Sequence, residues 1–229
     1  IPANGTPSSA DLKTPARPIL ASDDEALLSA REIAGACSSL EDLYSALENF
    51  DDCGLKKTAQ NLVLYDGNPK ARTLLLGEAP GADEDRMGKP FVGRSGKLLD
   101  KMIEAIGLSR TSEDRETAVC ISNVIFWRPP GNRKPTDQEA LLCLPFVEKL
   151  IEIVAPDFIL CLGATPMHRL VGGNQGIIRA RGKWQVYQSH TRSIPLLPTL
   201  HPAYLLRAPA QKKLSWQDML SLKEKLNAG

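Results

Sequence analysis

Four short apolar segments, each ending at a loop, constrain the fold of this chain more than any other feature of the sequence. They cover residues 73–76, 118–121, 158–162 and 195–199, and a further short strand is predicted over 184–187. Short apolar runs without alternation are typical of strands that are buried on both faces. Because helical patterns fill the intervals, the sequence predicts an α/β fold with helices on both faces of a parallel sheet.

The helical patterns are marked by apolar spacing and by capping signals. They predict one helix from about Leu98 to Gly107, and a capping box that begins at Thr136 predicts another that reaches about Val154. Residues 1–21 are rich in Pro, Ala and Ser and have no hydrophobic period. We therefore predict a disordered N-terminal arm over residues 1–21 and one folded domain over residues 22–229.

Composition limits the classes that this chain can belong to. Its 229 residues are 42% hydrophobic and 24% charged, which is close to the average of globular proteins. It has neither an apolar run of about eighteen residues nor a charged-then-apolar leader, so we predict no membrane span and no secretory signal. Its five cysteines are odd in number and contain no C-x-x-C pair, which indicates free thiols in a reduced, cytoplasmic protein.

The net charge of +1 hides an uneven distribution of charge along the chain. Ten Lys and Arg residues follow Gly163, and only Asp218 and Glu224 oppose them. A basic face of this kind would attract a phosphate backbone even though the total charge is near zero. The same distribution of charge would be explained equally well by a basic helix end that is exposed to solvent.

Polar residues follow three of the predicted strands. Glu78 lies just after the first strand, Asn123 after the second, and His201 after the segment that ends at residue 199. In open parallel sheets, ligands bind outside the carboxyl ends of the strands. We therefore expect the functional site to lie among these three residues.

The loop over residues 77–85 combines two glycines, a proline and four carboxylates. It contains neither a Walker pattern nor G-x-G-x-x-G, which argues against a dinucleotide site. Its carboxylates would repel phosphate, but they could orient a water molecule or offset a developing cation. Taken alone, the loop is better explained as a solvated acidic turn.

Five other features of the sequence bear on the site, and three of them have both a functional and a structural interpretation. Phe91, in a glycine-rich loop, fits a stacking plate for a planar ligand or a core anchor, and Ser95 precedes a helix where phosphate could bind. Asn123 could read one edge of a base, although such residues are usually turn formers. His201 is fixed by a following proline and could donate to a developing anion, yet lone histidines are more often structural. The basic segment 128–134 fits an exposed linker.

Three segments together resemble a known family. They read GEAPGADEDRMGKPFVGRSGKLLD over 77–100, ISNVIFWRPPGNRKP over 121–135 and TLHPAYLLR over 199–207. These motifs, in this order and spacing, resemble the uracil-DNA glycosylase superfamily, and most closely its family four. The resemblance covers the chain from about Leu40 to the C-terminal helix. It implies a three-layer α/β/α sandwich around a four-stranded parallel sheet, with 22–229 as the catalytic domain.

The resemblance also implies the reaction and the residues that recognise the base. Such enzymes flip deoxyuridine out of single- or double-stranded DNA and hydrolyse its N-glycosidic bond, leaving free uracil and an abasic site. It implies that Phe91 stacks on the uracil and that Asn123 reads its edge. It implies that Glu84 narrows the pocket near the position of the thymine methyl. Gly77, Ala79 and Asp85 are further candidate substrate contacts.

The remaining implied roles concern the chemistry and the DNA. His201 is expected to donate to the uracil oxygen, and Glu78 to position water and offset the sugar cation, as in an oxocarbenium-like transition state. Glu84 or Asp85 could share that role, because the family's usual aspartate position is Ala79 here. The resemblance implies further that five residues meet DNA, namely Ser95 and Arg133 at phosphates and Leu205–Leu206 with Arg207 beside the extruded base.

The chain departs from family four at the iron–sulfur ligands. That family carries a cluster on four cysteines, and the corresponding residues here are Phe50, Cys53, Trp127 and Cys143. Such clusters are held by four thiolates, so we expect no cofactor. We expect the two rings to form an apolar plug beside two plain thiols.

Two rival functions remain open at this stage. One is a tight or covalent abasic-site binder, although the basic insertion of such proteins is not visible before His201. The other is a non-catalytic module that binds damaged DNA, against which the presence of Glu78, Asn123 and His201 argues. We expect the protein to act as a monomer.

Overall fold

The computed structural model describes residues 23–228, and the arm predicted over residues 1–21 lies outside them. The strands are β1 (Tyr65–Gly67), β2 (Thr73–Gly77), β3 (Val119–Asn123), β4 (Phe158–Leu162), β5 (Gln185–Gln188) and β6 (Ser193–Thr199). The helices are α1 (Asp23–Ala36), α2 (Leu40–Asn49), α3 (Ala82–Met87), α4 (Arg94–Glu104), α5 (Asp137–Val154), α6 (Ala164–Val171), α7 (Ile177–Ala180), α8 (Pro202–Arg207) and α9 (Lys212–Asn227).

The strands form one mixed sheet in the order β1-β3-β2-β4-β6-β5. The four central strands are parallel, and β1 and β5 add to the two edges in antiparallel orientation. The α/β class is confirmed, but the prediction of a four-stranded sheet is wrong because the sheet of the described residues has six strands. Strand β1 has little signal in the sequence, because it has only three residues and ends at Gly67, whose φ is 90°.

Helices cover both faces of the sheet because residues on its strands alternate between two hydrophobic clusters. Leu74 and Leu76 of β2 face the cluster that includes residues of α1, α2 and α5. Leu75 faces the other cluster, which includes Leu99 of α4 and Met219 of α9. The strands β2, β3 and β4 are buried along their whole length, as expected for strands between two helical layers.

Local signals set the boundaries of several helices. The capping box predicted at Thr136 is present, since its hydroxyl accepts from the amide of Glu139 and the Glu139 carboxylate accepts from the amide of Thr136. A second capping box joins Ser39 and Asp42 at the start of α2. Helix α9 is fixed to the sheet by the buried carboxylate of Asp218, which accepts from Thr199 of β6 and pairs with Arg181. These contacts hold the layers in place around the edge where the strands end.

The direction in which successive strands are added to the sheet reverses between β2 and β4. From β2 the chain passes to β3 on one side, and β4 and β6 follow on the other side. Such a reversal opens a crevice at the carboxyl ends of the neighbouring strands. Within residues 23–228, no helix is both long and apolar enough to cross a membrane.

Candidate active site

A cavity of about 720 Å³ opens at the carboxyl ends of the parallel strands. Its wall contains most of the residues that the sequence singled out, namely Glu78, Ala79, Glu84, Phe91, Ser95, Asn123, Arg133, His201 and Arg207. Residues from four different segments converge here because β2, β3, β4 and β6 all end at this edge. A single cavity lined by chemically reactive and polar side chains is the expected form of a ligand site.

Asn123, at the end of β3, lines the cavity and has an amide oxygen without a hydrogen-bond partner among the described residues. The residue is 1% exposed, and this oxygen is its Oδ1. A buried polar atom without a partner costs free energy unless a ligand satisfies it. Gly77 lies directly behind, where an added Cβ would be 2.4 Å from Asn123 Oδ1 and 2.5 Å from the Phe91 ring. Gly77 therefore supports the site by leaving room for both side chains, and does not itself line the cavity.

Phe91 forms a flat wall of the cavity and has a strained backbone. Its φ is 53°, in the left-handed region that a bulky residue rarely adopts. Arg110 holds this turn from behind, donating to the carbonyl of Phe91 over 2.9 Å and to that of Pro90 over 3.2 Å. The same guanidinium pairs with Asp66 and Asp100. Arg110 thus holds the strained turn that carries the ring through two carbonyls, and two carboxylates hold Arg110 in turn.

Gly96 allows the Phe91 loop to approach α4. A Cβ at Gly96 would lie 1.8 Å from the Phe91 carbonyl oxygen, so a larger residue does not fit there. The ring of Phe91 contacts that of His201, with centroids 5.6 Å apart and planes tilted by 34°. The aromatic wall and the imidazole therefore form one continuous surface.

Glu84 and Asp85 brace the loops around the cavity through backbone amides. Glu84 Oε1 accepts from Val92 and Gly93, each over 2.9 Å, and Oε2 accepts from Gly81 over 3.1 Å. Asp85 Oδ1 accepts from two backbone amides at residues 60 and 61. The prediction that Asp85 contacts the substrate is wrong, because Asp85 lies outside the cavity wall and this carboxylate holds a neighbouring loop.

His201 is held in a defined tautomer. It caps α8, and its Nδ1 accepts a hydrogen bond of 3.1 Å from the amide of Ala203. Burial lowers the pKa of His201 to about 4, although the nearby Glu78 acts in the opposite direction. The imidazole is therefore neutral near pH 7, and since Nδ1 is an acceptor its proton is on Nε2.

Glu78 and Glu84 both line the cavity, but only Glu84 accepts hydrogen bonds from backbone amides among the described residues. Glu78 accepts a hydrogen bond from the hydroxyl of Thr165 at the start of α6. Thr165 also lines the cavity, and the sequence analysis did not identify it. No local signal could have identified it, since its partner is 87 residues away. Arg110 was missed for the same reason.

Three of the residues predicted to meet DNA line the cavity, namely Ser95, Arg133 and Arg207. Arg133 donates to both carboxylate oxygens of Glu139, over 2.9 and 2.6 Å, so its guanidinium holds the loop to α5. The adjacent Lys134 lines the cavity and forms no ion pair within residues 23–228. Arg207 is exposed at the rim, and Ser95 lies in the first turn of α4.

Leu205 and Leu206 do not behave alike. The prediction that Leu205 presses on DNA is wrong, because this side chain is 1% exposed and lines a separate apolar groove between α4 and α9. It anchors α8 to its neighbours. Leu206 is half-buried and lines neither the cavity nor this groove.

The four positions that the family resemblance assigns to cluster ligands are all buried in the cluster beneath α1, α2 and α5. The Phe50 ring packs on Phe146 at 5.0 Å between centroids. The thiols of Cys53 and Cys143 share a hydrogen bond, which lowers the pKa of Cys53 and raises that of Cys143, and burial raises the latter further.

Two thiols and two aromatic rings do not match a four-thiolate donor set, so these residues do not fit an iron–sulfur cluster. In the described part of the chain, no three His, Cys, Asp or Glu side chains are grouped so that they could hold a metal ion. The structure therefore assigns this region to the hydrophobic core.

The fold and the cavity together define a class of protein. An α/β sheet that brings an amide, an aromatic ring and a neutral imidazole to one cavity at its switch point is a ligand-binding enzyme scaffold suited to a planar polar molecule. The model of the uracil DNA glycosylase superfamily matches residues 64–220. This chain belongs to that superfamily.

Its relatives include several proteins named type-4 uracil-DNA glycosylase. The one from Sulfurisphaera tokodaii is 37% identical over 191 residues, which cover 81% of this chain and 84% of the relative. The one from Saccharolobus solfataricus is 39% identical over 181 residues, covering 77% and 81%. The one from Thermotoga maritima is 40% identical over 156 residues, covering 68% and 77%.

Proposed function

We propose that this chain is a monofunctional uracil-DNA glycosylase, which hydrolyses the N-glycosidic bond of deoxyuridine in DNA and leaves an abasic site for repair. The observation that carries this proposal is the buried amide of Asn123, whose Oδ1 is unpartnered among the described residues at a cavity walled by Phe91. The superfamily membership supports it, as do the relatives named type-4 uracil-DNA glycosylase.

The base is recognised by its edge and its face. Asn123 accepts from the N3 hydrogen of uracil through Oδ1 and donates to O4 through its amide nitrogen. Cytosine has a donor in place of O4 and an acceptor in place of the N3 hydrogen, so both contacts would become unfavourable. Phe91 stacks on the ring of the everted base. Glu84 shapes this pocket by holding the Phe91 loop through Val92 and Gly93.

Bond cleavage places negative charge on uracil and positive charge on the sugar. His201, protonated on Nε2, donates to uracil O2 as this charge develops, and it is preorganised because Ala203 fixes the ring. The backbone around Ala79, which lines the cavity, adds to this stabilisation. The low pKa of His201, about 4, keeps the ring neutral, so it donates a hydrogen bond without transferring its proton.

Glu78 orients the attacking water and offsets the charge of the sugar. The carboxylates of Glu84 and Asp85 are occupied by backbone amides, which leaves Glu78 for this role. Thr165 fixes the orientation of Glu78 through its hydroxyl. The step needs only a water molecule and these side chains, and no covalent intermediate forms on the protein.

DNA is held at the rim of the cavity by Ser95, Lys134 and Arg207. Single- and double-stranded DNA both supply the flanking phosphates that these groups need. We propose that the protein acts as a monomer and releases free uracil. We propose that it works in the cytoplasm of a bacterial cell, where the DNA of the nucleoid lies.

The test is incubation with a uracil-containing oligonucleotide, followed by alkali, with released uracil measured by chromatography. Strand cleavage by alkali together with free uracil is the expected result. A band of reduced mobility that resists denaturant would indicate a covalent abasic-site binder instead, and intact DNA that is merely bound would indicate a binding module. His201→Ala is expected to lower the single-turnover rate by about 100- to 1000-fold.

We propose further that Phe50 and Trp127 fill the volume that a cluster occupies in family four. The tight packing of Phe50 on Phe146 supports this, as does the burial of Trp127, which is 2% exposed. Protein purified without oxygen is expected to lack visible cluster absorbance and bound iron. Stoichiometric iron with cluster-like absorbance would contradict the proposal.

A further inference from the structure

An apolar groove lies beside the active-site cavity, between α4 and α9. This α4–α9 groove has a volume of about 230 Å³, and its apolar wall is formed by Leu98, Met102, Ala105, Leu205, Trp216 and Met219. Trp216 has the largest side chain of this wall, and it is 43% exposed. A large apolar side chain kept in water at a concave surface indicates a site that a ligand or partner covers.

The groove is flanked by cations without carboxylate partners. Lys101 of α4 and Lys212 of α9 line it, both are exposed, and neither forms an ion pair within residues 23–228. Arg94 and Lys97 are also exposed on α4, so three cations recur at intervals of three and four residues along one side of that helix. Among the described residues that line the groove, none is Asp or Glu. The surface therefore suits an anionic ligand that has an apolar or aromatic part.

The groove is continuous with the cavity that we assign to the everted base. Helix α4 begins at the cavity, where Ser95 lines the wall, and Lys101 of the same helix lines the groove. Helix α8 is shared in the same way, since Arg207 lines the cavity and Leu205 lines the groove. The rise of a helix places Ser95 and Lys101 about 9 Å apart along the axis. Phosphates of one strand follow one another about every 3.4 Å in a duplex, so a strand leaving the cavity reaches the groove within about three nucleotides.

Single-stranded DNA fits this surface better than a protein partner does. Two copies of the chain that met here would bring lysines against lysines, and like charges oppose association. An acidic peptide would match the charge, but the continuity with the cavity favours DNA. Proteins that bind unpaired DNA combine cations along the path of the backbone with an aromatic ring on which a base stacks, and Lys101, Lys212 and Trp216 supply that combination.

We propose that Trp216 is a stacking platform for an unpaired base of the DNA strand, about three nucleotides from the everted deoxyuridine, with phosphates held by Lys101 and Lys212. This inference rests on the proposed glycosylase function. A base within a duplex has both faces covered by its neighbours, so the platform acts on single-stranded DNA alone. It lies outside the cavity, so it raises the affinity for DNA and leaves the rate of bond cleavage unchanged.

The test measures, by fluorescence anisotropy, the binding of a labelled oligothymidylate of about 16 nucleotides, the upper end of the site sizes of such proteins. This probe contains no uracil, so the result does not depend on excision. We expect Trp216→Ala to weaken binding by about 5- to 100-fold, the range expected for the loss of one stacked base. Trp216→Phe keeps a ring and is expected to retain most of the affinity. A blunt duplex of the same length should bind the wild type and Trp216→Ala equally.

A control variant and a second readout separate stacking from a general effect on folding. Leu220→Ala is the matched control, since Leu220 is 38% exposed on the same helix but lies outside the groove, and we expect it to bind DNA like the wild type. Trp127 is buried and Trp184 is half-buried, so Trp216 is the exposed indole of the chain. The oligothymidylate is expected to quench tryptophan emission in the wild type, and this quenching should disappear in Trp216→Phe.

Each other outcome overturns the proposal in a distinct way. Unchanged affinity of Trp216→Ala for the single strand would remove the stacked base, and an equal loss on single strand and duplex would make Trp216 a structural residue. If Trp216→Ala abolished a dimer seen by sedimentation and left DNA binding unchanged, the groove would belong to a second copy. A peptide of Asp, Glu and Leu that binds through Trp216 and is not displaced by DNA would assign it to an acidic partner. Wild-type protein that shows the Trp216-dependent binding but excises no uracil would overturn the proposed function and leave the DNA site in place.

Discussion

The hydroxyl of Thr165 donates a hydrogen bond to Oε2 of Glu78, and it thereby joins the loop after β2 to the first turn of α6. Strands β2 and β4 are parallel neighbours in the sheet, and the order in which strands are added to the sheet reverses between them. The contact therefore spans the switch point where a ligand is expected to bind. It fixes the one carboxylate that we assign to the water and the sugar cation.

Replacing Thr165 by valine removes this hydrogen bond with little change in side-chain shape. A hydrogen bond to a charged group contributes about 1.5–3 kcal/mol, which corresponds to a loss of roughly 10- to 100-fold in the rate of excision. We expect kcat to fall by this amount while KM for uracil-containing DNA changes little. Single-turnover kinetics on a single-stranded substrate measures the effect without a contribution from base-pair opening.

Two variants separate this positioning role from a general effect on folding. Thr165→Ser keeps the hydroxyl and is expected to retain most of the activity. In a Glu78→Gln background, Thr165→Val is expected to cause little further loss, because the group that it positions is already changed. If the losses in activity of the two single variants added up in the double variant, Thr165 would not act by positioning Glu78.

The sequence was sufficient for the parts of this site that follow from local patterns. The ends of buried strands located Glu78, Asn123 and His201, and the structure brings all three to one cavity. It was insufficient for groups that act through distant contacts. Arg110 looks like an ordinary surface arginine in the sequence, and its role depends on reaching the carbonyl of Phe91, 19 residues away.

Two errors of the sequence analysis have the same physical origin. Leu205 and Leu206 are adjacent and chemically identical, but they lie on different sides of α8, so only the packing of that helix decides that Leu205 is buried. Asp85 follows Glu84 directly, and its carboxylate points to a neighbouring loop at residues 60 and 61. Which side of a short helix faces the ligand cannot be read from one or two turns of sequence.

His201 is expected to remain neutral across the physiological range. Its pKa of about 4 lies below the ordinary value of 6.5, because burial disfavours the charged ring. Nitrogen NMR should therefore find one histidine with its proton on Nε2 and no titration between pH 8 and 5, and the signal should disappear in His201→Gln. A midpoint near 6.5 for this residue would contradict the assignment.

The lowered pKa of His201 also makes the stability of the fold depend on pH. The unfolded chain takes up a proton on His201 near pH 6.5, whereas the folded chain resists it until about pH 4. The unfolded state then binds more protons in this window, so the free energy of unfolding falls as the pH is lowered from 6.5 toward 4. Denaturant unfolding of the wild type and His201→Gln at several pH values measures the difference, and parallel curves would contradict it.

Gly77→Ala tests whether the ring of Phe91 and the amide of Asn123 keep their positions only because Gly77 has no side chain. The new Cβ would meet Asn123 Oδ1 at 2.4 Å and the Phe91 ring at 2.5 Å, so at least one of the two must move. We expect excision to fall by more than about 100-fold, because both contacts to the base are displaced together. Gly54→Ala is a suitable control, since a Cβ there meets nothing within 4 Å. Wild-type activity in Gly77→Ala would contradict this arrangement.

Arg110→Ala tests the clamp behind Phe91. The change removes the donors to the carbonyls of Pro90 and Phe91 and leaves Asp66 and Asp100 without their shared partner. We expect calorimetry to show weaker binding of free uracil. We also expect the free energy of unfolding to fall by about 2–4 kcal/mol. Arg110→Lys keeps the charge but cannot make the forked contacts, so it is expected to restore stability more than uracil binding. If Arg110→Lys fully restored both stability and uracil binding, the positive charge alone would account for the role of Arg110.

Lys134 and Arg133 are adjacent cations for which the structure indicates different roles. Lys134 is exposed at the cavity rim, whereas Arg133 is held by both oxygens of Glu139. If Lys134 contacts a phosphate, Lys134→Ala should lower the slope of log K against log salt concentration for DNA binding by about 1. Arg133→Ala should leave that slope nearly unchanged and lower the melting temperature, because it frees the loop from the capping box of α5. Filter binding over a range of salt concentrations measures both slopes, and a reversed pattern would assign the phosphate to Arg133.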